Sequence, residues 1–258
     1  MGRTQDGSAG DADYGRIGTG YAGYRRPEPR IAAVIEQALA GAKTLVNVGA
    51  GTGSYESQAF EVTAVEPSAT MRAQRPAHLS PAIDAVAEAL PFPDDAFDAA
   101  MTTYSVHQWS DLKAGLREMR RVARGPVVVV GGDPDRVRDY WLAEYAPEMM
   151  EIEARRYPTI GEIAETLGGI VEVTQIPIPF DCTDGFIEAY YGRPEALLDP
   201  EARKACSAWS LVDEQRAARY VEALSEAIES GAWDARHGHL RTQPSFDGSL
   251  VLIKATPA

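Results

Sequence analysis

Cysteine is nearly absent from this chain: of 258 residues, only Cys182 and Cys206 are cysteines. Neither sits in a CxxC pair or beside a histidine cluster, so neither a disulfide framework nor a structural zinc site organises the fold. Long apolar runs are missing too. No stretch approaches the roughly 18 consecutive apolar residues that a membrane span needs. Met1 to Gly10 is polar and glycine-rich, where a signal peptide would show a basic start and an apolar run. Positive charge is scarce as well: 25 Lys and Arg stand against 38 Asp and Glu, a formal net charge of −13. Such a surface repels phosphate backbones and anionic lipid, and no basic run offsets it. The expected partner is therefore a small, neutral or weakly charged molecule, with no nucleic acid and no membrane. The expected setting is a reducing, cytoplasmic one, with the chain a monomer or homodimer. Histidine is sparse at four residues. His237 and His239 have a metal-like spacing but no acid or cysteine cluster nearby, so no metal is expected.

What remains is ample for a core, since 45% of residues are hydrophobic. At this length one domain with insertions is the natural expectation. Residues 1–13 are small and polar and read as a disordered tail. Tyr14 to Pro27 mixes aromatics with glycines and reads as a structured loop. Pro27 and Pro29 open a helical pattern with Ile31, Val34, Ile35, Ala38 and Leu39 on one face. Strand-like segments follow at Thr44–Val48, Val62–Val65, Ile83–Val86, Phe97–Thr103 and Val127–Val130, with a helix over Leu112–Val122. The β-branched run Val127–Val130 has the look of a strand buried on both faces. Helices are expected over Asp135–Glu151 and Ile160–Leu167, and further strands at Ile170–Pro177 and Leu250–Ala255. This alternation implies βαβ units with right-handed crossovers. The fold class is α/β, a doubly wound, mostly parallel seven-stranded sheet. Residues 14–180 and 241–258 form the α/β domain. Residues 181–240, with helical patterns near 184–190, 200–209 and 212–230, are too many for a loop and read as a helical cap.

The chemistry concentrates at Gly49-Ala50-Gly51-Thr52-Gly53, placed between a strand and an expected helix. Glycines there allow a sharp turn and let a ligand approach without meeting a Cβ. Glu66 ends the next strand, thirteen residues past Gly53. An acid at a neighbouring strand tip can accept both hydroxyls of a ribose. A dinucleotide site usually shows GxGxxG, with pyrophosphate on the helix N-terminus. Here the spacing is GxGxG and is followed by Glu56, an acid that would repel a pyrophosphate and suit an amino group. The loop thus favours S-adenosylmethionine (SAM) over NAD.

Leu45–Gly53, Val65-Glu66-Pro67-Ser68, Ala87–Asp98 and Val106-His107-Gln108-Trp109 resemble, in order, the motifs of class I SAM-dependent methyltransferases. The resemblance is to the type 11 small-molecule group, related to the quinone-biosynthesis methyltransferases, and it is strong over roughly residues 28–130. It implies that Gly49, Gly51 and Gly53 line the methionine part of SAM, Glu66 the ribose, and Ala87 and Glu88 the adenine edge. Ala50, Pro67, Met71 and Tyr104 join the cofactor-binding set on the same grounds. Two positions depart from the family pattern. Asn47 stands where an acid is usual in the first strand, which weakens its contact with the SAM amino group or routes it through water. Val86 replaces an acid that often touches adenine. The resemblance also implies that the arm carrying Tyr14, Tyr21, Tyr24 and Arg25 folds over the cofactor, with the Arg25 fork on the SAM carboxylate.

SAM brings its own activated methyl group, so the protein must align an acceptor and, where needed, remove a proton. His107, just past the fourth expected strand, is the candidate general base, an imidazole being suited to proton transfer near neutrality. Aromatics after Gly131 (Tyr140, Trp141, Tyr145, Phe186, Tyr190, Tyr191, Trp209) could wall a flat pocket and favour a sulfonium by cation–π attraction. The expected activity is methyl transfer to a small aromatic, indole-like metabolite of secondary metabolism. Alternatives are a non-catalytic SAM-binding protein and an NAD-dependent oxidoreductase.

Overall fold

The alternation of apolar side chains within each strand decides the architecture. In the computed structural model, which describes residues 21–258, eight strands are present. They are β1 (Thr44–Val48), β2 (Glu61–Val65), β3 (Ala99–Thr103), β4 (Val127–Gly132), β5 (Ile170–Gln175), β6 (Ile178–Pro179), β7 (Ser245–Phe246) and β8 (Leu250–Thr256). Six of them form one sheet in the order β2-β1-β3-β4-β8-β5. The first four are mutually parallel, and β8 runs antiparallel between β4 and β5.

Leu45, Met101, Val128, Val130, Leu250 and Leu252 point to one face. There they meet Ile31 and Ile35 of the helix Pro29–Ala38 and Met149 and Met150 of the helix Pro147–Arg156. Their neighbours Val46, Val48, Ala100, Val127, Val129 and Ile253 point to the other face. These pack on Leu116 and Met119 of the helix Leu112–Val122 and on Ile163 and Leu167 of Ile160–Leu167. A period of two puts successive residues on opposite faces, and helices cover both, so the central strands read as continuous apolar runs. Each such side chain contributes roughly 1.5–3 kcal/mol of burial. The two helices on the second face keep their expected bounds because their starts are capped. The Asp111 carboxylate accepts from the Ala114 N–H at 2.9 Å, and Thr159 and Glu162 form a capping box.

Three expectations are corrected. Ile83–Val86 is not a strand, so the sheet has six strands among the described residues instead of seven. Only Ile83 bridges to Val65. The next rung cannot form because its partners are already engaged. The Ser68 N–H donates to the Glu66 carboxylate, the Glu66 carbonyl accepts from Arg72, and the Ala85 N–H turns back to the Ile83 carbonyl. The single helix expected over Asp135–Glu151 is instead Pro134–Arg138, a 3₁₀ turn Trp141–Glu144, and Pro147–Arg156. Pro147 has no N–H to continue a helix, and Ala146 before it leaves the helical region at φ −132°, ψ 57°. The helix expected after the glycine loop is absent: residues 51–60 are turns and bends. Gly49, Gly51 and Gly53 all take positive φ (68°, 52° and 89°), and the segment turns through that left-handed backbone instead of forming a helix.

Between β5 and β8 the chain leaves the sheet, and the β6–β7 ladder pairs Ile178 with Phe246 and Pro179 with Ser245. The longest helix of this insertion is Glu214–Glu229. Its Leu224, with Trp209 and Trp233, joins the same buried cluster as the sheet face that carries Leu45 and Met101. The tail expected at residues 1–13 and Tyr14 lie outside the described residues, as does the Tyr21 side chain. Among the described residues, no helix is long and apolar enough to cross a membrane.

Candidate active site

The carboxyl ends of β1, β2 and β3 converge on a cleft of about 860 Å³. Its floor is the turn after β1. Gly49 lies so close to Ser105 that a Cβ would collide with the Ser105 hydroxyl and sit 2.7 Å from its Cβ. Only glycine fits there, on both space and dihedral grounds. A Cβ on Gly51 would meet nothing nearer than the Met71 methyl at 3.4 Å, so that backbone is open to a ligand. Glu66, at the tip of β2, braces the turn. Its Oε2 accepts from the Gly51 N–H and its Oε1 from the Ser68 N–H, both at 2.8 Å. Burial raises the Glu66 carboxyl above its ordinary value, opposed by those two amides and by Arg72 and Arg75.

Of the residues expected to hold cofactor, Arg25, Gly49, Ala50, Gly51, Glu66, Pro67, Met71, Ala87, Glu88 and Tyr104 all line this cleft. Three do not. Asn47 lies beneath the turn, where its Nδ2 donates to Glu56 at 3.0 Å. Glu56 does not face a ligand amino group, because it is clamped by Arg75 at 2.6 and 3.0 Å in a pair whose side chains are 2–3% exposed. Gly53 is packed against Leu79 and Arg75. Tyr24 is tied to the cap: its hydroxyl donates to Asp199 at 2.9 Å and its carbonyl accepts from the Gly185 N–H at 2.8 Å. Glu88 reaches the cleft, but its Oε1 also accepts from the Ser110 and Asp111 amides and the Ser110 hydroxyl, holding the start of Leu112–Val122.

The structure adds residues that the sequence reading left out. Asp184, from the insertion between β5 and β8 and 1% exposed, also lines the cleft. It accepts from Arg25 Nε at 2.5 Å and from the Tyr55 hydroxyl at 2.8 Å. The Arg25 guanidinium also lies 5.2 Å over the Tyr104 ring. The Trp109 ring lines the cleft, fixed by its Nε1–H donating to Ser105 at 3.0 Å. It lies close against Gly115, where any Cβ would strike it. Trp109 lay within the quoted motif and Tyr55 next to the glycine run, both visible as aromatics without an assigned role. Asp184 has no local signal, being 129 residues from Tyr55 in the chain.

A second cavity, of about 740 Å³, adjoins the first, and Arg25 and Tyr104 line both. Tyr104 has φ 51°, unusual for a bulky residue, and its buried hydroxyl has no partner among the described residues. His107 faces this second cavity and not the first. Its ring centroid is 4.7 Å from that of Tyr157, and its Nδ1 is buried without a partner among the described residues. Burial, then the positive Arg156 and Arg25, hold the imidazole well below its ordinary pKa. Phe186 from the insertion packs against Tyr104 with its ring tilted by 35°, the centroids 5.6 Å apart. Among the described residues, no group of three His, Cys, Asp or Glu is placed to hold a metal.

Comparison with known proteins agrees with this geometry. Residues 46–129 match the methyltransferase domain family. A crystal structure from Anabaena variabilis, described as that of a methyltransferase of an antibiotic biosynthesis pathway, is 28% identical, with a TM-score of 0.83 over 90% of this chain and 99% of that one. A SAM-dependent methyltransferase structure from Thermotoga maritima shares the fold, at 14% identity and a TM-score of 0.56 over 95% and 96% of the two chains. The uncharacterised protein YafE of Escherichia coli is 45% identical over 62 residues, 22% of this chain; the match spans 29% of that relative's length. The glycine turn, the braced acid at the second strand tip and the open backbone of Gly51 all fit an adenosyl ligand. Residues 46–129 of this chain carry a methyltransferase domain, and SAM is the cofactor that such a domain implies.

Proposed function

We propose that this protein transfers the methyl group of SAM to a small aromatic acceptor, indole-like in shape, held in the second cavity. The observation that carries this reading is that the two cavities share the wall made by Arg25 and Tyr104. A cofactor in the first and an acceptor in the second would face each other at that wall. Bound SAM supplies an electrophilic methyl, and an in-line attack returns the S–C electrons to sulfur. The chain's own part is alignment, for which proximity is worth on the order of 7–11 kcal/mol.

Glu66 would hold the ribose and Arg25 the cofactor carboxylate. Phe186, Tyr157 and Met150, all lining the second cavity, supply flat apolar walls. His107 stays neutral there and presents an imidazole nitrogen that accepts the acceptor's N–H or O–H, becoming the base if that proton leaves. A net charge of −13 favours a neutral or cationic metabolite over nucleic acid. The antibiotic-pathway description of the Anabaena relative supports a place in secondary metabolism.

Methyl-labelled SAM with indoles, phenols and hydroquinones tests this. Label should pass to a ring atom or ring substituent, and His107→Ala should slow it roughly 10²–10⁴-fold where a proton must be removed. Transfer only to carboxylates, or to none while SAM binds, would overturn the proposal.

A further inference from the structure

Every charged residue lining the second cavity has an opposite charge at bonding distance, with one exception. Arg25 is paired with Asp184, and Glu153 with Arg156 at 2.6 Å. Glu188, in the cap's 3₁₀ turn Ile187–Tyr190, lines the same cavity and is 5% exposed. Its carboxylate accepts only from Ser249, from the N–H at 3.0 Å and the hydroxyl at 2.7 Å. Among the described residues no cation bonds to it. Arg136 is near, but its guanidinium donates to the Asp247 and Gly248 carbonyls. An unpaired buried carboxylate is costly, and a glutamine could accept from Ser249 without that cost. The same cavity is also lined by the apolar side chains of Val137, Met150, Phe186, Ile187 and Leu250.

We propose that Glu188 is the specificity determinant for an acceptor of the arylalkylamine class, seating its ammonium while the aromatic ring lies against the apolar walls. The amine is a handle and not the methylated atom, because Glu188 lines only the second cavity and not the wall shared with the cofactor cleft. Glu188 is thus a positioning residue. The inference rests on the methyl-transfer reading above and narrows its acceptor.

Burial pushes the Glu188 carboxyl up to about 7, with Ser249 and Arg136 opposing. The titratable groups coupled to it are Arg136 and Tyr140 on one side and Tyr157 on another, with His107 and the Glu153–Arg156 pair also lining the cavity. Amine affinity should therefore rise as pH climbs from 6 to 8 and the carboxyl ionises, while a neutral analogue should show no such rise.

The test is calorimetric titration of the full chain, saturated with S-adenosylhomocysteine, using tryptamine and phenethylamine against their neutral counterparts tryptophol and 2-phenylethanol. The amines should bind at least about tenfold tighter than the alcohols. Glu188→Gln should weaken the amines roughly 10–100-fold and leave the alcohols within about threefold. A carboxylate that merely pins Ser249 predicts equal effects on both classes, which would overturn the proposal. So would equal affinities in the unaltered protein, which needs no variant to fold. Absent amine binding with cofactor binding intact removes this inference alone, whereas loss of cofactor binding removes the reading beneath it.

Discussion

Glu66 offers a perturbation whose size can be worked from two hydrogen bonds. Its two carboxylate oxygens each accept from a backbone amide at 2.8 Å, Gly51 in the turn and Ser68 at the N-cap of the helix Ala69–Ala73. Glu66→Gln leaves one carbonyl oxygen to serve two amides, and its own NH₂ then opposes an N–H. Losing one bond to a charged group costs about 1.5–3 kcal/mol. Glu66→Ala strands both amides and should cost about twice that. In a protein of this size each kcal/mol lowers the melting temperature by roughly 2–4 °C, so Gln should cost several degrees and Ala about double. The same residue is assigned to the ribose hydroxyls, so SAM affinity should fall with it, by about tenfold or more for Ala. Differential scanning fluorimetry and calorimetric titration with SAM read the two effects separately. If Glu66→Ala melts like the unaltered protein and binds SAM unchanged, the brace and the ribose site are both misplaced. If only the melting temperature falls, Glu66 shapes the turn without touching the cofactor.

Gly49→Ala should destabilise by roughly 2–4 kcal/mol, from left-handed strain plus collision with Ser105. Gly41→Ala, at φ +95° in open space, should cost only about the strain, so chemical denaturation of the pair isolates the collision. Asp184→Ala removes the buried carboxylate that the part-buried Arg25 and the Tyr55 hydroxyl bond to and should cost about 3–5 kcal/mol, seen as a lower urea midpoint and weaker SAM binding. An unchanged midpoint would mean that this pair does not secure the cap. Because Glu188 is raised from 4.5 to about 7, the fold prefers its neutral acid. Stability from this group is full below pH 4.5 and is lost as pH rises toward 7, by roughly 3 kcal/mol in all. In Glu188→Gln that loss should be missing from a pH series of urea melts.

Much of the fold could be read in advance because its signals are local. Val127–Val130 announces a strand buried on both faces, and the apolar spacing of Leu112, Leu116, Met119 and Val122 announces a helix. The errors arose where distant groups compete for the backbone. Ile83–Val86 has strand-like residues, but the far side of its ladder is taken by the Glu66 carboxylate and Arg72. Glu56 was expected to suit a ligand amino group, but Arg75, nineteen residues on, takes its carboxylate instead. The glycine turn and Glu66 were legible because the cleft is built at adjacent strand tips. Asp184 was not, since its role exists only once the insertion folds back over residue 25. Glu188 was equally silent, as burial beside Ser249 is a property of the folded cap alone.

The placing of β8 between β4 and β5 bears on how the molecule is made. Among the described residues β5 pairs in the sheet only with β8, which lies about 75 residues further along the chain. At the usual 5–20 residues per second, a nascent chain holds β5 unpaired on the ribosome for roughly 4–15 seconds. During that interval β1 to β4 can pair among themselves, while β5 waits with its backbone unpaired; its Ile170 and Val173 stay exposed even in the finished sheet. Chain order thus lets the parallel strands pair before the edge strand can find its partner.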